Sequence, residues 1–108
     1  MTMIGGNITA TFQQKDGSIT NEIGEKIHTW LDVQQLTGWL DMVSGDSKYT
    51  HNAKIQESTH IFMCDYVTID HNTDDKRLMV NGDIFDILFI DDPMGLHQQL
   101  EIYLRSVG

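Results

Sequence analysis

A single cysteine, a single proline and only seven basic residues among 108 already remove several classes of protein. With Cys64 alone, no disulfide can form within the chain, and a lone thiol suits a reducing compartment. One cysteine and five scattered histidines (His28, His51, His60, His71 and His97) cannot supply the paired, closely spaced ligands of a zinc site. Cys64 reads instead as a small apolar residue within a strand. No apolar run nears the roughly 20 residues of a spanning helix, so no membrane partner is expected. The first residues hold no basic segment ahead of an apolar core, so no secretory signal is expected.

Basic charge is the most telling shortage. Sixteen acids face seven bases, a formal net charge of −9. Eight of those acids fall between Asp65 and Asp92, against only Lys76 and Arg77. Such a surface repels phosphate backbones and offers no basic stripe from which counterions could be released. Its plain reading is solubility, and a sharper one is a passage through which DNA slides without sticking.

Known chemical signatures are missing too. The chain has no phosphate-binding glycine loop, no dinucleotide fingerprint and no paired-histidine zinc helix. Gly45-Asp-Ser47 places a serine beside a carboxylate but lacks the elbow that exposes a nucleophile. Asp70-His-Asn-Thr-Asp-Asp75 has the acidity of a calcium loop without its sixth-position glycine or closing glutamate, and it reads as a solvated turn. Asp91-Asp92, ahead of Pro93, reads as a polar turn. No catalytic residue, metal ligand or cofactor is expected.

What the sequence does have is apolar residues, 40% of the chain, arranged with a period of two. The clearest element is a hairpin over residues 77–90, where Asn81-Gly82 supplies the positive-φ pair of a two-residue type I′ turn. Leu78 and Val80 share a face before the turn, and Phe85, Ile87 and Phe89 form the apolar face after it. Leu100, Ile102 and Leu104 alternate with Glu101, Tyr103 and Arg105, which fits a strand better than a helix. Residues 34–43 and 58–64 read as further strands between Ser, Gly and Asp turn signals. Residues 8–14 open the chain as a strand closed by a Lys15-Asp-Gly-Ser18 turn. Residues 19–26 and 44–57 read as loops. The expected fold class is all-β: one domain over residues 1–108, a small antiparallel β-barrel of about six strands with a long loop. Trp39, Phe62, Phe85, Ile87, Leu100 and Ile102 are assigned to its core.

Four segments in order carry a resemblance. They are Gly38-Trp-Leu-Asp-Met-Val-Ser-Gly-Asp46, then Glu57-Ser-Thr-His-Ile-Phe62 with Asp65-Tyr66, then the residue 77–87 hairpin with Ile90-Asp-Asp-Pro-Met94, and finally His97-Gln-Gln-Leu-Glu-Ile102. Together they resemble the head–tail connector proteins of tailed phages. They look most like the small head-closure, or stopper, proteins of phages and PBSX-like prophages of Gram-positive bacteria. The likeness spans residues 36–108 and, more loosely, the first strand; residues 19–34 have no counterpart in it.

The resemblance implies a six-stranded barrel that is a monomer in solution and joins a ring, dodecameric in the assembled particle. Its implied partners are its own copies, the portal and adaptor above it and the tail proteins below it, with DNA passing through unbound. The implied locations are the host cytoplasm during assembly and the virion neck afterwards. Tyr49, Thr50, His51 and Asn52 are the expected channel-facing or neighbour-contacting loop tip, and Asp70, Asp74 and Asp75 a second rim. The competing expectation is a barrel that binds a small ligand or peptide, which would need a concave apolar pocket.

Overall fold

The computed structural model describes residues 6–42 and 57–107. Tyr49, Thr50, His51 and Asn52 lie outside the described residues. Among the described residues six strands make the fold: β1 Ile8–Thr20, β2 Lys26–Met42, β3 His60–Asp65, β4 Lys76–Val80, β5 Asp83–Asp91 and β6 Gln99–Ser106. A short 3-10 turn, Pro93–Gly95, connects the last two. All neighbours pair antiparallel, in the order β1-β2-β3-β6-β5-β4, and β4 returns to β1 to close the barrel. Closure leaves the barrel itself no free edge.

Alternation places one side chain in two inside. Phe12, Leu36, Phe62, Cys64, Leu78, Val80, Phe85, Ile87, Ile90, Leu100, Ile102 and Leu104 are buried in one cluster with Ala10. Every strand contributes to it, and the expected inward positions of β4 and β6 are all there. The Asn81-Gly82 turn has φ of 52° and 85°, the left-handed pair that the sequence demanded. Gly38 is required for another reason. A Cβ at that position would sit 2.1 Å from the Met63 carbonyl oxygen, so only hydrogen lets β2 approach β3 this closely. Cys64 is a buried free thiol whose pKa is pushed up to about 11, chiefly by burial and then by Asp65.

Several expectations need correction. Trp39 is not in the core: it is 43% exposed on the outer side of β2, opposite Met63. Its neighbours Gly38 and Leu40 take the inward positions, so parity excludes it. Phe89 also faces out, because a bulge between Ile87 and Phe89 advances the register by one and turns Ile90 inward. Lys15-Asp-Gly-Ser18 is not a turn. It is a bulge within β1, where Gly17 takes a φ of 143° and the strand runs on to Thr20. Of the expected loop at residues 19–26, residues 19, 20 and 26 are therefore strand, and the connection itself narrows to residues 21–25.

The first two strands consequently outgrow the barrel. β1 meets β4 only over Ala10–Gln14, and β2 meets β3 only over Gly38–Met42. Beyond those limits, among the described residues, the two strands pair only with each other, from Lys15–Trp30 out to Thr20–Lys26, forming a projecting arm. Asn21 caps its tip: the Asn21 Oδ1 atom accepts from the backbone N–H groups of Ile23 at 3.1 Å and Glu25 at 2.8 Å. The long dimension of the molecule is 51 Å, against 28 and 23 Å across.

Candidate assembly surfaces

The arm is braced where it leaves the barrel. Gln13, buried at the base of β1, donates through Nε2 to Asp32 Oδ1 at 2.7 Å. Its Oε1 accepts from Arg77 Nε, also at 2.7 Å. One amide thus joins β1, β2 and β4 through both its ends, which satisfies a polar group that burial would otherwise penalise. The Arg77 guanidinium then lies 4.2 Å from the centre of the Trp30 ring, and the Lys15 ammonium 5.8 Å from it. Cation–π contact of this kind fixes the outer face of the arm root.

The acidic rim begins from the same place. The backbone N–H of Lys15 donates to the Asp75 carbonyl at 2.8 Å, and the Lys15 ammonium lies 3.4 Å from the Asp75 carboxylate. Asp70 Oδ1 accepts from the Asn72 N–H at 2.9 Å, and Asn72 Oδ1 accepts from the Asp74 N–H at 3.0 Å. These are two consecutive Asx turns, as the Asp and Asn content of the segment suggested. Lys76, buried at the start of β4, reaches the Asp70 carboxylate at 3.4 Å. The Asn72 N–H holds the Asp70 carboxyl below the usual carboxylate range, and the Lys76 ammonium adds to that.

Asp70, Asp74 and Asp75 are therefore brought together on one exposed connection, with Asp70 and Asp75 each ion-paired. Between this rim, the arm root and β5 lies an open groove of about 440 Å³, bounded by Lys15, Trp30, Asp74, Asp86 and Arg105. Its charged, open walls differ from an apolar ligand pocket. Among the described residues the barrel interior is filled by the core side chains themselves, where a ligand-binding barrel would need a concave apolar site. Among the described residues no cluster of His, Cys, Asp and Glu is arranged to hold a metal. No helix among them is long and apolar enough to cross a membrane.

Sequence reading missed the arm altogether, since its turn-forming residues masked two continuous strands. The available signal was the pair Ile19 and Ile27 with Leu31, aliphatic residues at strand spacing either side of a Gly24-containing turn.

A second outward surface crosses four strands. One row runs Trp39, Met63, Glu101 and Asp91, and the next runs Asp41, Ile61, Tyr103 and Phe89. The Phe89 and Tyr103 rings lie 6.2 Å apart. Glu101 faces Asp91 directly, a like-charge pair. Burial first, and Asp91 second, push the Glu101 carboxyl above its ordinary range. Tyr103 is raised as well, by burial and then by the charges of Glu101 and Asp91.

Fold and surfaces together define a small closed all-β barrel whose distinctive features lie on its outside, in an arm, a rim and a belt of mixed apolar and acidic residues. Residues 7–107 match the family model described as phage head completion protein, and the chain belongs to that family. It is thus a structural protein of the phage head. Among solved structures it is similar to protein SF1141 from Shigella flexneri 2a, with a TM-score of 0.69 and 22% identity, covering 98% of this chain and 96% of that one. It is also similar to a chain in the virion of a native gene transfer agent particle, with a TM-score of 0.57 and 13% identity, covering 93% of each. Both likenesses concern the fold. A 45-residue stretch is 38% identical to isoleucine–tRNA ligase of Pelagibacter ubique (strain HTCC1062). That match takes in 42% of this chain and spans only 5% of the ligase.

Proposed function

We propose that the protein is a head-closure, or head–tail joining, subunit. In this reading it forms a ring beneath the portal and adaptor, retains packaged DNA and presents the surface to which the tail attaches. The observation that carries the reading is membership of the head completion family over nearly the whole chain. The acidic balance supports it: a net charge of −9 lets a ring surround DNA without gripping the phosphates. Asp70, Asp74 and Asp75 are a candidate rim of the passage, on a connection already stiffened by its Asx turns. Assembly takes place in the host cytoplasm, and the finished location is the virion neck.

The test is deletion of the gene from its phage or prophage, induction, and negative-stain electron microscopy of the lysate. Separate tails beside DNA-leaking heads, converted to whole particles by added purified protein, are expected. Intact virions in the deletion strain would refute the role.

A further inference from the structure

The arm carries two unlike faces. On one, the cross-strand pairs are Ile19–Ile27 and Gly17–Thr29, continued onto the arm root by Gln14–Leu31. No residue of those pairs is charged, and Ile19, Ile27 and Leu31 are exposed, as is Ile23 at the tip, at 79%. The alternate pairs, Lys15–Trp30 and Thr20–Lys26, hold the cations, and Asp16 occupies the bulge. A chain with a net charge of −9 thus keeps one extended face free of charge and lines it with aliphatic side chains. Isolated exposed hydrophobics need no explanation, but four exposed aliphatic residues along one uncharged face of a projecting hairpin mark a contact surface.

The occupant follows from charge and geometry. Identical copies, each strongly acidic, cannot attract one another by net charge, so a contact between them is best made by at least one surface without it. The arm projects about 20 Å past the barrel, six residues at about 3.3 Å each. That reach suits a neighbour whose short dimensions are 28 and 23 Å. The barrel wall offers the receiving surface in Trp39, Met63, Ile61, Tyr103 and Phe89, outward apolar residues across β2, β3, β6 and β5 that are interleaved with Asp41, Glu101 and Asp91, acids that an uncharged arm face does not repel. Stripe and belt are different patches on one chain, so their contact is heterologous, head to tail, the type that repeats around a closed ring.

We infer that the uncharged face of the β1–β2 arm docks on the β2–β3–β6–β5 wall of a second copy of this chain. The inference rests on the ring reading above and gives it an interface. Four aliphatic side chains amount to on the order of 400 Å² of apolar surface, short of the roughly 800 Å² per partner of a stable complex. The contact is therefore weak between free chains and strong where a platform already holds copies side by side, at millimolar effective concentration.

Site-directed cross-linking tests it. Ile27→Cys protein, labelled with ¹⁵N, is mixed at about 1 mM with unlabelled Met63→Cys protein and treated with a short bismaleimide. Cys64 stays silent at neutral pH, since its thiol is buried with a pKa of about 11. The expected product joins the arm of one chain to the wall of the other. It should exceed both homotypic products several-fold and disappear when Leu31→Asp is added to the arm chain. Ile19→Cys supplies a second arm position, and circular dichroism verifies that each variant is folded. Predominant arm-to-arm product, or a yield no greater than that of the Leu31→Asp chain, would overturn the inference. The two readings fail separately. Arm-to-wall product with intact virions in the gene-deletion strain would defeat head closure and leave the interface standing. Tailless leaking heads without that product would do the reverse.

Discussion

Phe62 and Met63 are adjacent in β3, and the barrel sends them to opposite sides of one wall. Phe62 is fully buried between Leu40 and Ile102 on the neighbouring strands, whereas Met63 lies outside between Trp39 and Glu101. Phe62→Ala withdraws on the order of 120 Å² of apolar surface from burial, about 3 kcal/mol at about 25 cal/mol per Å². The sheet is hydrogen-bonded all round and cannot collapse freely onto the gap. A residual cavity on the order of 50 Å³ costs about 1 kcal/mol more at about 24 cal/mol per Å³. The total, about 4 kcal/mol, is a large share of the 5–15 kcal/mol that a domain typically has. Met63→Ala removes contacts on one side only and should cost about 1 kcal/mol or less. Urea denaturation followed by far-UV circular dichroism measures both, and the midpoints should separate widely at a common slope. Equal losses, or a larger loss at Met63, would refute the assignment of inner and outer faces on which both the core and the docking wall depend.

Gly38→Ala should destabilise by about 1–3 kcal/mol, because its methyl group would collide with the Met63 carbonyl and push β2 from β3; a thermal midpoint unchanged from the parent would show that the strands are not in such close contact. Glu101→Gln tests the like-charge pair with Asp91. Because folding raises the Glu101 pKa, the stability this group contributes is full below the usual glutamate range and is lost as pH rises through the raised folded value. The glutamine variant should therefore be more stable than the parent at pH 7, by about 0.5 kcal/mol, with the difference vanishing near pH 3. A difference that grew on acidification would reverse the assignment.

Where the sequence was legible, one local signal decided the structure. Asn81-Gly82 admits few conformations, and strict alternation in β6 left no choice about which of Leu100, Ile102 and Leu104 faced inward. Both hold to the residue. Phe89 and Trp39 went astray for opposite reasons. A bulge after Ile87 moves every later side chain of β5 to the other face, and nothing in Ile-Leu-Phe-Ile marks where the extra residue falls. Trp39 attracted a core assignment by its size, although its parity with the buried Leu36 and Gly38 already placed it outside. The arm was hidden by composition, since Lys-Asp-Gly-Ser has the same residues whether it turns the chain or bulges it. Of the candidate sites, the Asp70–Asp75 connection was recognisable as a solvated turn from its Asp and Asn spacing. Its tie to the arm root through Lys15 depends on a pairing some sixty residues apart in sequence, which no local pattern encodes.

The division between barrel and arm has a thermodynamic consequence for assembly. In the barrel each strand is paired on both sides and contributes to one buried cluster, so its opening requires breaking the whole. Among the described residues the arm beyond Gln14 has one interstrand ladder, two open edges and no core of its own. A two-stranded ribbon of this kind is marginal in water by itself. Its root is nevertheless held by the Gln13–Asp32–Arg77 network and by the Trp30 ring, which fix the direction in which it projects. Under the docking inference, ordering of the tip is completed by the neighbour's wall, and part of the gross contact energy is spent on that ordering. Removing the brace should therefore weaken docking without unfolding the barrel. Gln13→Ala leaves Asp32 and Arg77 without their shared amide, and in the cross-linking assay it should lower the arm-to-wall product while the urea midpoint moves by no more than about 1–2 kcal/mol of stability. An undiminished product from a folded Gln13→Ala chain would show that the direction of the arm is set elsewhere, by the β1–β2 register alone.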